Sequence, residues 1–180
     1  MVYWDHQNGG VYMNAREVVE QARALLAHIT PLHRDCGRGC GAACCAPDED
    51  GQGGMLLLAG EEALYDPLPE GFTLSRDDSI LPGMTLLTCE GRCDREMRPL
   101  SCRMFPLTPV ITPEGKIRVQ VDPRAFAVCP LSAGGIRGMD ENFARAVLQA
   151  ARLLCQCEEH RAYFRALDGY FARLRTWEGE

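Results

Sequence analysis

The stretch Cys36-Gly-Arg-Gly-Cys40-Gly-Ala-Ala-Cys44-Cys45 decides how the rest of the chain is read. Core cysteines are not drawn in runs of four beside glycines, whereas thiolates that converge on a metal are. Cys36, Cys40 and Cys44 are separated by three residues each, and Gly37, Gly39 and Gly41 give the backbone freedom for a tight wrap that aims several sulfurs at one point. Side chains of adjacent residues point apart in most backbone conformations. Cys44 and Cys45 are therefore expected to divide between jobs, one coordinating while the other packs or serves a second site.

A second group follows in Cys89-Glu-Gly-Arg-Cys93 and Arg98-Pro99-Leu-Ser-Cys102-Arg103-Met-Phe105-Pro106, then Cys129-Pro130. Eight cysteines thus fall between positions 36 and 129, enough for two four-thiolate sites or for one site with the others buried as small hydrophobes. Cys36, Cys40, Cys44, Cys45, Cys102 and Cys129 are the principal candidate ligands, with Cys89 and Cys93 as further ones. The turns at Pro99 and Pro130 deliver Cys102 and Cys129 toward the first cluster. Cys155 and Cys157 lie among helical residues and are expected to be core. His33, three residues before Cys36, is a candidate substitute ligand or a plain loop residue. Arg92, Arg95, Arg98 and Arg103 crowd the second group. They are candidates for hydrogen bonds to a dianionic metal-thiolate centre, for solvated ion pairs with Asp94 and Glu96, or, at Arg98 and Arg103, for a pocket that takes a small anion.

The 180 residues suffice for one domain with a real core, so no metal is needed merely to rescue a tiny fold. A net charge of −6 argues against a nucleic-acid or anionic-membrane surface. The first ten residues lack a basic n-region and an apolar h-region, and no later stretch is long and apolar enough to span a bilayer, so the cytoplasm is the expected location. Thiols stay reduced there, and ten cysteines in that setting mean metal binding or redox chemistry rather than disulfides.

Asn14 with Glu17 resembles a capping box, and Ala15, Val18, Ala22, Leu25 and Ile29 recur at helical spacing until Thr30-Pro31. Residues 48–54 read as an acidic, glycine-rich loop, 55–58 as a buried strand or packed turn, and the proline-spaced 66–82 as irregular. Met84 to Leu87 predicts a short strand, and Leu107 to Ile111 with Lys116 to Val121 predict a hairpin around Thr112-Pro-Glu-Gly115. From Asp140 onward, Phe143, Val147, Ala150, Leu154 and Cys157, then Phe164, Leu167, Phe171 and Leu174, predict two helices that break near 157–160 or at Gly169. The expected class is α+β: a small, irregular cysteine-rich core (33–131) with a short hairpin, packed by an N-terminal helix and a C-terminal helix pair (140–177). The arginines and aromatics of that pair, including Tyr163, Tyr170 and Trp177, are expected to pack on the domain or to form a homodimer rather than to bind RNA.

The cluster ending in Cys44-Cys45, then Arg98-Pro99-x-x-Cys102-Arg103-x-Phe105-Pro106, then Cys129-Pro130, resembles the zinc- or iron-chelating CxxCxxCC family over roughly residues 33 to 131. Its first thiols stand three residues apart here rather than two. The resemblance implies metal binding by the cysteines. It extends distantly to flagellin lysine methylase, which brings in a methyltransferase-like, metal-dependent enzyme as the alternative function. Zinc knuckles come as two separated pairs, whereas a local trio with one remote cysteine before proline is closer to ferredoxin-style ligation, which favours a 4Fe-4S cluster over zinc. No phosphate loop, dinucleotide fingerprint or nucleophile elbow is present. The expected function is a structural or electron-relay metal centre.

Overall fold

Asn14 opens the first long helix, α1 (Ala15–Leu25), its side chain accepting the Arg16 N–H at 2.8 Å. This computed structural model describes residues 3–4, 11–12, 14–32, 34, 36–45, 53–91 and 93–177. His33, Arg92 and the loop positions 48–52 lie outside the described residues. The apolar face of α1 is set by Val18, Val19, Ala22 and Leu26, all fully buried. The expected stripe is thus rotated: Leu25 is exposed, and the helix ends before Ile29. Leu26 caps it with its N–H on the Arg23 carbonyl.

The chain is α+β. Strands β1 (Tyr3–Trp4) and β2 (Val11–Tyr12) form a small antiparallel pair. The four-residue helix α2 (Gly37–Cys40) and a 3-10 turn at Ala43–Cys45 carry the first cysteines. A three-stranded antiparallel sheet follows, with β3 (Met55–Leu56), β4 (Phe72–Asp77) and β5 (Met84–Cys89) in the order β3-β5-β4. β4 corrects the expectation that 66–82 is irregular. All six of its residues pair with β5, from Phe72 opposite Cys89 to Asp77 opposite Met84. Phe-Thr-Leu-Ser-Arg-Asp carries no clean alternation because β4 is an edge strand with little buried surface, so the periodic signal of a half-buried strand is missing.

The short helix α3 (Leu100–Met104) leads into the hairpin of β6 (Leu107–Ile111) and β7 (Ile117–Val121). Its turn is where the sequence places it, with the Gly115 N–H on the Thr112 carbonyl at 2.8 Å and Gly115 at φ +80. Helices α4 (Glu141–Leu154) and α5 (Glu158–Trp177) close the fold, and the break between them falls at 155–157 rather than at Gly169, which lies within α5. Phe143, Val147, Ala150 and Leu154 of α4 meet Phe164, Leu167 and Phe171 of α5, the inner face of the hairpin and the buried face of α1. Each large side chain buried there contributes on the order of 2 kcal/mol. The apolar stripes of the helix pair are covered by the chain's own core. Tyr163 is buried with them, Tyr170 is half-buried, and the Trp177 side chain lies outside the described residues. No helix among the described residues is long and apolar enough to cross a membrane.

His160, fully buried in the first turn of α5, faces a carbonyl oxygen with each ring nitrogen: Leu154 O at 3.2 Å from Nδ1 and Ala59 O at 2.9 Å from Nε2. A neutral imidazole has one N–H and can satisfy only one of them. Burial, outweighing the pull of the two carbonyls and of Glu159 and Glu62, holds its pKa below the ordinary 6.5. The unfolded chain therefore binds a proton that the folded chain resists. The stability involved is complete above 6.5 and is lost as pH falls through the folded pKa. Urea titrations between about pH 8 and pH 5 are expected to show a falling midpoint, and His160→Gln to flatten that slope; an unchanged slope in the variant would assign the pH dependence elsewhere.

Candidate metal centre

Cys36, Cys40, Cys44, Cys45, Cys89, Cys93, Cys102 and Cys129 all line one cavity of about 830 Å³. They arrive from the 36–45 segment, the end of β5, the loop after it, α3 and the turn before Pro130. Cys155 and Cys157 stay out of it, buried in the main core as expected, though in the turn between α4 and α5 rather than on a helical stripe. The Cys157 thiol donates to Glu159 at 2.8 Å. None of the ten cysteines is joined in a disulfide.

The first wall is made by a chain reversal. Gly41 caps α2 at φ +64, and Ala42 follows at φ +58, a left-handed conformation that costs a non-glycine residue roughly 1–2 kcal/mol. Two consecutive left-handed residues swing the 3-10 turn of 43–45 back over the cavity. Within that 3-10 turn the Cys44 and Cys45 sulfurs lie 4.0 Å apart, against the expectation that they point apart. Thiolates at about 2.3 Å from one tetrahedral ion stand about 3.8 Å from each other. The adjacent pair is therefore nearly at the spacing for sharing an ion. Cys40 meanwhile turns its thiol toward the Cys36 carbonyl at 3.7 Å.

The opposite wall is built on buried polar scaffolding that sequence reading did not find. Arg103, 6% exposed, sends Nε to the Arg98 carbonyl at 3.0 Å and Nη2 to the Glu96 carbonyl at 2.8 Å. Arg23 from α1 reaches the same two carbonyls at 2.8 and 2.6 Å. Arg95 donates to the carbonyls of Ala27, Leu26 and Ile29 beyond the end of α1. These three guanidinium groups staple 94–104 to α1. Glu61, fully buried, accepts the Leu100 N–H at 2.7 Å, the Leu58 N–H at 3.2 Å and Arg23 at 3.3 Å. It thereby caps the start of α3, the helix that carries Cys102, where Pro99 offers no side-chain cap.

This scaffolding gives Arg103, which also lines the cavity, a structural role. Burial, with the neighbouring charges of Arg23 and Arg95, pulls its pKa down to about 10, and its donors are spent on backbone carbonyls. Lysine cannot reproduce a fork across two carbonyls. Arg103→Lys is expected to lower stability by about 1–3 kcal/mol in urea titrations, and an unchanged midpoint would contradict the staple. Arg98 differs from it: burial, then the charge of Cys89, raises the Cys93 thiol, and the Arg98 guanidinium beside it pulls the other way.

The electrostatics tie the two walls together. The Cys44 thiol is pushed far up by its hydrogen bond with Cys45, by burial, and by the nearby thiols of Cys45, Cys36 and Cys40. Cys102 sits deep enough that burial, followed by Cys45, Cys93 and Cys89, raises it well above the ordinary thiol range. Thiols packed this way resist ionising together, and a bound cation removes that resistance. As they stand, no three His, Cys, Asp or Glu side chains among the described residues are arranged to hold a metal ion. The donor set is nevertheless of one chemical kind, soft sulfur, which suits zinc and iron–sulfur clusters over hard oxygen-seeking cations. Facing the thiols, β4 and β5 supply a hydroxyl wall of Thr73, Ser75 and Thr88, with Thr73 and Thr88 hydrogen-bonded at 2.8 Å. No family model, curated protein or solved structure matches the chain.

Proposed function

We propose that the chain is a cysteine-ligated metal-binding protein of the CxxCxxCC type, holding an iron–sulfur cluster in preference to zinc in a structural or electron-relay role within a reducing, cytoplasmic setting. One observation carries this reading: eight cysteines from separate parts of the sequence line a single cavity. Cys36, Cys40, Cys44 and Cys45 would hold the centre from one wall and Cys89, Cys93, Cys102 and Cys129 from the other, with the Arg98 guanidinium beside Cys93 as a charge partner. Such a centre cross-links elements that pack little against one another and, when it contains iron, stores an electron. Elemental and acid-labile sulfide analysis of protein purified without oxygen tests the choice. Iron with sulfide supports the cluster, and colourless protein with stoichiometric zinc removes it.

The hydroxyl wall favours a second reading, a metal-dependent enzyme, methyltransferase-like in the sense of the motif resemblance, with substrate held between the thiols and Thr73 and Thr88. Calorimetric titration of the metal-loaded protein with S-adenosylmethionine and small anions separates the two. Binding in the cavity supports the enzyme, and silence leaves the structural role.

A further inference from the structure

The two thiol walls are built differently. Cys102 rides on α3, whose Leu100, Arg103 and Met104 are buried, which Glu61 caps and which Arg23 and Arg103 staple down. Cys93 lies just before that stapled segment, and Cys89 ends a strand paired with β4. By contrast, α2 and the 3-10 turn after it contain no buried residue. Gly39 and Gly41 have open space where a side chain would begin, so nothing packs on this arm at either position. Cys44 is the exposed member of the eight. Among the described residues, the 36–45 arm is the wall of the cavity that can shift with least disturbance to the core.

We infer that the site is an exchange site, in which Cys89, Cys93 and Cys102 form a fixed receptor and the 36–45 arm a movable cap that gives up its metal to an incoming thiol through Cys44. This inference rests on the metal-binding reading above and makes the metal cargo rather than a permanent cross-link. Structural thiolate sites are closed to solvent ligands, whereas an exposed ligand on an uncovered arm is open to substitution by another soft donor. The incoming sulfur takes the place of the Cys44 sulfur and its proton passes to Cys44, so no electron moves and no oxidant or reductant is consumed. The partner class is a thiol, small or protein-borne.

Full-length protein carrying the metal it holds as isolated is mixed anaerobically with glutathione, and metal release is followed by rapid desalting and elemental analysis. Release is expected to accelerate with glutathione concentration. Cys44→Ser is expected to release metal roughly tenfold faster than wild type or more, the scale on which metal-site substitutions act, with little remaining thiol dependence. Cys102→Ser is expected to lose loading. Because that variant may fail to fold, pulsed iodoacetamide labelling of the wild-type holoprotein provides an independent reading: Cys44 is expected to be modified first and Cys102 last. Release that ignores glutathione, or equal labelling of Cys44 and Cys102, overturns the exchange site. A chain isolated without metal instead overturns the reading beneath it, an outcome visible before any thiol is added.

Discussion

Glu61→Ala is expected to lower the stability of the metal-free protein by about 3–5 kcal/mol, the scale for removing one member of a buried charged pair. The carboxylate is fully buried and collects the N–H groups of Leu58 and Leu100 together with Arg23. Alanine strands two buried backbone donors and leaves Arg23 without its counter-charge. Glu61→Gln keeps the shape but brings an N–H₂ toward the same donors, and is expected to fall between wild type and alanine. The ionised form is itself under strain, because burial pushes the Glu61 pKa above the ordinary 4.5 against the pull of its partners. The Glu61 contribution is therefore greatest below 4.5 and shrinks as pH rises through its folded pKa, opposite in sign to that of His160. Urea titrations of the three proteins at matched pH decide the matter. A loss below about 1 kcal/mol in the alanine variant would mean that α3 is held by its apolar contacts alone.

The second large effect is expected at Cys45. Its sulfur lies 4.0 Å from that of Cys44 within the arm, and it lines the same cavity as Cys93 and Cys102, whose thiols its charge pushes up. Serine is a poor ligand for soft metals. Cys45→Ser is expected to lower metal content per chain to a small fraction of wild type, whereas Cys157→Ser, a change in the apolar core, leaves metal content intact. Elemental analysis of both variants purified in parallel provides the check. Full metal content in Cys45→Ser would show that the walls do not share a centre.

How far these features were legible in the sequence follows from how local their causes are. The β6–β7 hairpin was readable because Thr112-Pro-Glu-Gly115 carries its own turn geometry, and the two C-terminal helices because Phe143 to Leu154 and Phe164 to Phe171 repeat at the helical period. The cysteines announced themselves by number and by their glycine neighbours. β4 did not, because an edge strand with little buried surface leaves no hydrophobic alternation. Glu61 was invisible for a different reason: its partners lie at Leu100 and Arg23, 39 and 38 residues away, and nothing near it distinguishes a buried carboxylate from the exposed ones. Arg103 was singled out but its carbonyl partners were not, since its matched motif says that an arginine is needed without saying whether it faces a ligand or a carbonyl. The closeness of the Cys44 and Cys45 sulfurs was not legible because it depends on the 3-10 turn they share, which residue type alone does not specify.

The most direct test of a single thiolate-lined metal centre is anomalous diffraction at the iron and zinc absorption edges from crystals grown without oxygen. We expect an anomalous peak inside the cavity, bounded by Cys45, Cys93 and Cys102, and strong at the iron edge. Crystals with no peak in the cavity, or with the thiols of these cysteines joined as disulfides, would contradict it.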